Sequence, residues 1–175
     1  MICAARRSLA VLILVFGATA VAHGEVYQEP GAFVAEVLGS TPALKVLWLT
    51  REMQGQAAAI LGHPPAQLRQ RYWSDAHKTV WILEETGKEE LITAGFVVVD
   101  GRIDHVRVLV YREGRGQEVR QSSFLKQFKD AKAQGNRLDR DIDGIVGATL
   151  SVGAMERMAR LALLFDRLSH DNAHG

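Results

Sequence analysis

Two runs rich in β-forming residues, 92–99 and 102–111, are separated by Asp100-Gly101 alone. A two-residue connection of this type demands positive φ at both positions, and Asp-Gly meets it as a type I′ turn. The pair therefore has to be an antiparallel hairpin, and the chain around it must supply a face to bury. Alternation places Val106, Val108 and Val110 on one side, with Arg107, Leu109 and Tyr111 on the other.

The rest of the chain builds around this hairpin. Residues 23–43 carry Pro30, Gly31, Gly39, Ser40 and Pro42 and read as a loop segment. Leu44 to Leu49 is a short strand. Thr50 caps a helix over 51–61, which Gly62, Pro64 and Pro65 end. Leu68 to Trp73 and Thr79 to Glu84 are strands joined by a turn over Ser74 to Lys78. Arg112 to Arg120 is a polar, Gly-containing loop or edge strand. Ser122 to Ala133 has Phe124, Leu125 and Phe128 at helical spacing, with Ser122-Ser123 as its cap and Lys126, Lys129 and Lys132 outside. Residues 134–142 are a charged connector. A last helix, 150–168, buries Val152, Met155, Met158, Ala159, Leu161, Ala162, Phe165 and Leu168, and turns Glu156, Arg157, Arg160 and Arg167 toward solvent. The expected class is α+β: a mainly antiparallel twisted sheet with flanking helices. No repeat and no internal boundary interrupts residues 44–169, and 170–175 form a polar tail.

The first 22 residues read as an address. Arg6-Arg7 precede an apolar run over Ser8 to Ala22, which ends in the small-x-small site Ala20-Val21-Ala22. A run of this length falls short of the roughly 20 residues of a spanning helix, so a cleaved secretory signal is expected ahead of a retained anchor. The 175 residues less these 22 leave 153, without Cys3 and with 19 basic side chains against 20 acidic. Such a chain has no disulfide to rest on and must be held by its core.

Composition narrows the chemistry. With 21 Lys and Arg against 20 Asp and Glu, the whole chain has no electrostatic footprint for nucleic acid. A single Cys excludes a disulfide scaffold, a Cys-ligated cluster and a c-type haem attachment. His23, His63, His77, His105, His170 and His174 form no metal-binding spacing. Ser122-Ser123 lacks the glycine setting of a hydrolase nucleophile. No catalytic residue and no metal site is assigned.

One stretch carries chemistry: Asp143-Gly144-Ile145-Val146-Gly147-Ala148-Thr149-Leu150-Ser151. Gly144 and Gly147 allow close backbone approach, Ala148 adds almost no bulk, and Thr149 presents a hydroxyl at a helix start, where open N–H groups and the helix dipole favour phosphate. Spacing alone is equally met by a turn leading into an N-cap.

This stretch resembles the flavinylation motif of FMN-binding domains related to the C subunit of the sodium-translocating NADH:quinone oxidoreductase and the G subunit of Rnf-type complexes. That motif reads roughly Asp-Gly-x-Ser/Thr-Gly-Ala-Thr-x-Ser/Thr. Upstream, Tyr72-Trp73, Trp81 to Glu85, the hairpin and Phe124 to Phe128 are similar to small exported members, so the likeness spans about residues 44–168. The resemblance implies FMN joined through a phosphoester to Thr149 by a separate flavin transferase. It departs at Val146, where a Ser or Thr is expected. Ser151 is a second hydroxyl and an alternative acceptor. Asp143, Gly144, Gly147, Ala148, Thr149 and Ser151 are thus the expected cofactor-binding set, and Trp81 is the aromatic expected to stack on the flavin. Lys88-Glu89-Glu90 reads as a solvated turn, and Lys126 and Lys129 as a solvated helix face.

Together with the signal segment, the resemblance implies an exported, periplasmic, membrane-associated electron carrier that works with a membrane-bound redox partner. The chain is short for both flavin and a substrate domain, which favours a carrier over a reductase with its own substrate. A non-redox module of the same fold is the third alternative.

Overall fold

The computed structural model describes residues 24–39 and 42–171. The expected signal segment 1–22, His23, Ser40, Thr41 and the end of the polar tail from residue 172 lie outside them. The described elements are β1 (Glu25–Val26), α1 (Pro30–Leu38), β2 (Leu44–Trp48), α2 (Arg51–Leu61), β3 (Arg69–Ser74), β4 (Lys78–Thr86), β5 (Leu91–Val99), β6 (Arg102–Tyr111), α3 (Ser122–Leu125), β7 (Ala133–Gln134), β8 (Arg137–Leu138) and α4 (Thr149–Asp171). Single 3-10 turns lie over Gln117–Arg120 and Lys126–Phe128. Six strands form one antiparallel sheet in the order β1-β6-β5-β4-β3-β2, and β7-β8 is a separate two-stranded ribbon. The fold is α+β.

The hairpin forms as its turn chemistry requires: Asp100 has φ 49° and Gly101 φ 70°. α2 starts and stops where expected, with the Thr50 hydroxyl accepting from the Met53 amide at 3.3 Å and Gly62 left-handed at φ 82°. α4 is the longest helix. Met155, Met158, Ala159, Ala162 and Phe165 are almost wholly buried, and they cover the sheet with Trp81, Phe96 and Ile92. A second, smaller core lies on the opposite face, where Phe33 and Val34 meet Val80, Val97, Leu109 and Val110. β5 is therefore buried on both faces, and the sheet is sandwiched between α4 with α2 on one side and α1 on the other.

Several expectations are corrected. Residues 30–38 form α1 rather than a loop. Pro30 occupies the first turn, where its fixed φ and missing N–H favour a helix start, and burial of Phe33 and Val34 holds the helix down. The alternation along β6 breaks after Val108, because β5 pairs Ala94 with Val108 and Thr93 with Val110, which leaves Leu109 as a bulge. Val110 then joins Leu109 in the second core, and Tyr111 turns to the α4 side. The helix expected over 122–133 is one turn of α-helix and one of 3-10. Asp130, at φ 62°, leaves the helical path, and residues 130–131 exchange backbone hydrogen bonds with Ile103 instead. Gln121, not Ser122, is the residue at its N-cap. The connector 134–142 includes Gln134 of β7 and the whole of β8.

Candidate functional site

The bulge in β6 aims Tyr111 at the start of α4. Its phenol donates to the Arg115 carbonyl at 2.5 Å and lies 3.1 Å from the Ser151 hydroxyl. The Tyr111 proton is committed to Arg115, so Ser151 donates to the phenol oxygen. Burial pushes the Tyr111 phenol above its ordinary value, against the opposing pull of Ser151. Ser151 is buried and its proton is engaged, whereas Thr149 is exposed at the first residue of α4. Of the two hydroxyls in the motif, Thr149 is the accessible one.

The loop before Thr149 is built to deliver it. The Asp143 amide donates to the Gln127 side chain at 2.7 Å, which ties the loop to the turn after α3. Ile142 and Ile145 pack against the main core. The Ala148 amide donates to the Ile145 carbonyl at 2.9 Å, across Gly147 at φ 83°; positive φ there is a glycine conformation. Val152 donates to Ala148 as the first full helical bond. The amides of Thr149, Leu150 and Ser151 have no carbonyl one turn back to bond, as at any helix start. Val146 and Gly144 are exposed.

Beside Thr149 lies a cavity of about 480 Å³, lined among others by Lys88, Glu113, Arg115, Gly147 and Ala148. Glu113 organises it. Its buried carboxylate accepts from the backbone amides of Lys88, Glu89 at 2.8 Å and Glu90 at 3.1 Å. Burial alone would raise the Glu113 carboxyl, but the three amides outweigh it and hold the group below its ordinary value. The β4-β5 turn is thereby folded around a fixed negative charge. Glycines make the room. A Cβ on Gly87 would run into Glu113, and Gly116 is left-handed at φ 85° with Tyr111, Ala148 and Ser151 packed against it.

These observations place the expected residues. Asp143, Gly144, Gly147, Ala148, Thr149 and Ser151 form one continuous loop and helix start, with Ser151 facing inward. Trp81 is corrected: it is wholly buried, stacked on Tyr72 at 4.6 Å and packed on Phe165, with its indole N–H donating to Thr79. Phe165 is 16 residues beyond Thr149, about 24 Å along a helix axis, so Trp81 belongs to the core and not to this loop. Lys88 to Glu90 is not merely a solvated turn, since its amides clasp Glu113. Glu113, Tyr111, Gly87, Gly116 and Gln127 were missed. The available signal was Glu113 set before a Gly-Arg-Gly sequence, and Gly87 before a charged turn. Among the described residues no group of His, Cys, Asp and Glu is arranged to hold a metal ion, and no helix is long and apolar enough to cross a membrane.

The donor chemistry fits a phosphate-linked ligand. An exposed hydroxyl sits in the first turn of a 23-residue helix, with the positive end of the dipole behind it; on the cavity wall Lys88 pairs with Glu89 at 2.9 Å, Glu113 is held by amides, and Arg115 adds a second cation. Comparison with curated proteins and with solved structures returns no match. Residues 87–164, from the turn that clasps Glu113 into α4, match the family model of the FMN-binding domain, which supports flavin binding by this segment.

Proposed function

We propose that this protein is an exported flavoprotein that carries FMN on Thr149 through a phosphoester and relays electrons between a membrane-bound donor and an acceptor. The observation that carries the reading is the exposure of Thr149 at the head of α4, beside a cavity, with Ser151 turned inward. A flavin supplies reversible electron acceptance; the protein supplies position and field. Thr149 is an attachment point. Its phosphodiester keeps one negative charge, which the open amides of the first helical turn and the dipole stabilise. Gly147 and Ala148 let the phosphate approach the backbone, and Glu113 holds the adjoining turn as a wall. A separate flavin transferase performs the attachment, and a covalent link prevents loss of the flavin outside the cytoplasm.

Intact and peptide mass of the protein from its native exported fraction tests this. The expected adduct is one FMN less one water on the peptide that carries Thr149, absent in Thr149→Ala, with the signal segment gone. A full adduct in Thr149→Ala overturns the assignment. An unmodified wild-type peptide, with an active transferase in the same cells, assigns the loss to Val146.

A further inference from the structure

β6 is an edge strand for most of its length. β1 covers its outer side only at Val110 and Tyr111, and the Tyr27 amide then donates to the Leu109 carbonyl at 2.9 Å. At the other end Ile103 exchanges backbone hydrogen bonds with Asp130 and Ala131. Between these two short covers, Val106 and Val108 pack on the α4 side together with Ile103. Residues on one face of a strand turn their N–H and C=O to the same edge, so the backbone groups of Val106 and Val108 point outward, away from β5, as those of Ile103 do. Among the described residues no backbone group meets them there. Both residues are buried, at 6% and 2% exposed, and buried backbone groups are almost always paired. These face a cavity of about 800 Å³ instead.

The cavity is a groove with this edge as its floor. Glu36 of α1 and Arg107 stand on one side; Arg120, Leu125, Lys126 and Lys129 stand on the other, along α3 and the turns beside it. The two carboxylates that line the groove are answered, Glu36 by Arg107 at 2.8 Å and Asp104 by Lys129 at 2.8 Å. Acids also adjoin its two ends. Glu25 accepts from the Tyr27 hydroxyl, Glu29 precedes α1, and Asp130 has Arg140 on its carbonyl. On the α3 side Arg120 lies over the Tyr27 ring at 4.5 Å, and among the described residues no carboxylate pairs with Lys126.

We propose that this groove takes an extended peptide segment of a partner protein, which pairs with Val106 and Val108 as an added strand and turns a carboxylate toward Lys126. The floor selects the chemistry. It offers N–H and C=O groups in strand order, and a peptide backbone of the same repeat answers donors and acceptors together. From Leu109 back to Ile103 is about 20 Å of strand, room for about four added residues between the two covers. Alternate side chains of such a strand face α1 and α3 in turn, so the α3 side reads every second residue. A second copy of this chain answers the groove less well. The other open edge of the sheet, β2, brings Lys45 as its single charge to a wall that already holds Arg120 and Lys126. The groove shares no lining residue with the cavity beside Thr149, and the proposal is independent of flavin attachment.

The test follows amide hydrogen exchange in the protein as processed by its host, with three probes at millimolar concentration: acetyl-Thr-Val-Glu-Val-Thr-amide, its counterpart with Lys in place of Glu, and a fully N-methylated copy of the first. The Glu peptide is expected to slow exchange at the Val106 and Val108 amides roughly tenfold or more, with no change at Ile103, whose amide is already bonded to Ala131. The N-methylated copy is expected to leave all three amides unchanged. Lys126→Glu is expected to weaken the Glu peptide roughly fivefold and to favour the Lys peptide, the upper range for an exposed ion pair. Four results overturn the proposal: no slowing by the Glu peptide; equal slowing by its N-methylated copy, which assigns binding to side chains alone; equal binding of the Glu and Lys peptides, which removes the choice of partner; or protection of Val106 and Val108 that grows with protein concentration without peptide, which assigns the edge to a second copy. Thr149→Ala is expected to leave every reading unchanged, which separates this outcome from the fate of the flavin.

Discussion

Two buried carboxylates in this protein respond to pH in opposite directions, and the reason is what each one accepts. Glu113 accepts three backbone amides and is held below its ordinary value of 4.5. Its contribution to stability is complete above that value and is lost as the pH falls through the lower, folded one. Glu113→Gln keeps an oxygen for the amides but loses the charge. It should cost about 1–2 kcal/mol at pH 7 by urea unfolding, and the gap to wild type should close on acidification; a gap that widens on acidification would refute the account. Asp166 is 4% exposed on α4 and is pushed above its ordinary value of 3.8 by burial, against the opposing Thr79 hydroxyl at 2.6 Å and His170. Its ionised form is a cost that acidification relieves. Asp166→Asn still accepts from Thr79, so it should be more stable than wild type at pH 7, with the advantage shrinking as the pH falls toward 3.8. A loss of stability at pH 7 would show that the charge is worth more to the fold than its burial costs. The place of Thr149 at a helix start was legible in the sequence, because two glycines and an alanine precede an amphipathic run there. Glu113 and Tyr111 were not: the first works through the amides of a turn 23 to 25 residues away, and the second reaches Ser151 because a bulge reverses its side of the strand.

At the scale of elements, what local chemistry dictates was readable and what packing dictates was not. The Asp100-Gly101 turn, the Thr50 cap and the Gly62 stop each follow from one or two residues, and each formed as expected. α1 did not read as a helix because its first residues, Pro30 and Gly31, also punctuate loops. Its second anchor, a gap in β5 at Gly95, is visible only in three dimensions. Phe33 is wholly buried and its ring lies where a Cβ on Gly95 would be. Gly95 has no unusual φ, so its role is space alone. Gly95→Ala should therefore expel the Phe33 ring and destabilise the protein by about 1–3 kcal/mol, the usual cost of overpacking. Hydrogen exchange should rise first in residues 30–38 while β4 and β5 stay protected. Uniform loss of protection across the sheet would instead mean that α1 is integral to the main core.

For the whole molecule, the sheet sets a direction: the motif loop and the Glu113 turn share one end, and α4 runs away from it for 23 residues with its dipole aimed back. A helix this long that is buried along most of its length couples its first turn to the main core. Charge added at Thr149 should therefore register in global stability and not only in the loop. A phosphodiester at a helix start contributes about 0.3–1 kcal/mol at modest exposure, which for a protein of this size is a rise of about 1–4 °C in Tm. Flavinylated protein should melt above the unmodified chain by that margin, and the margin should shrink in high salt, since dipole effects at exposed sites are screened. Thr149→Ala should melt with the unmodified chain under both conditions. A lower Tm for the flavinylated form would mean that the attached group strains the Gly147 turn more than the helix start stabilises its charge, and it would move the favourable contacts of the flavin away from the head of α4.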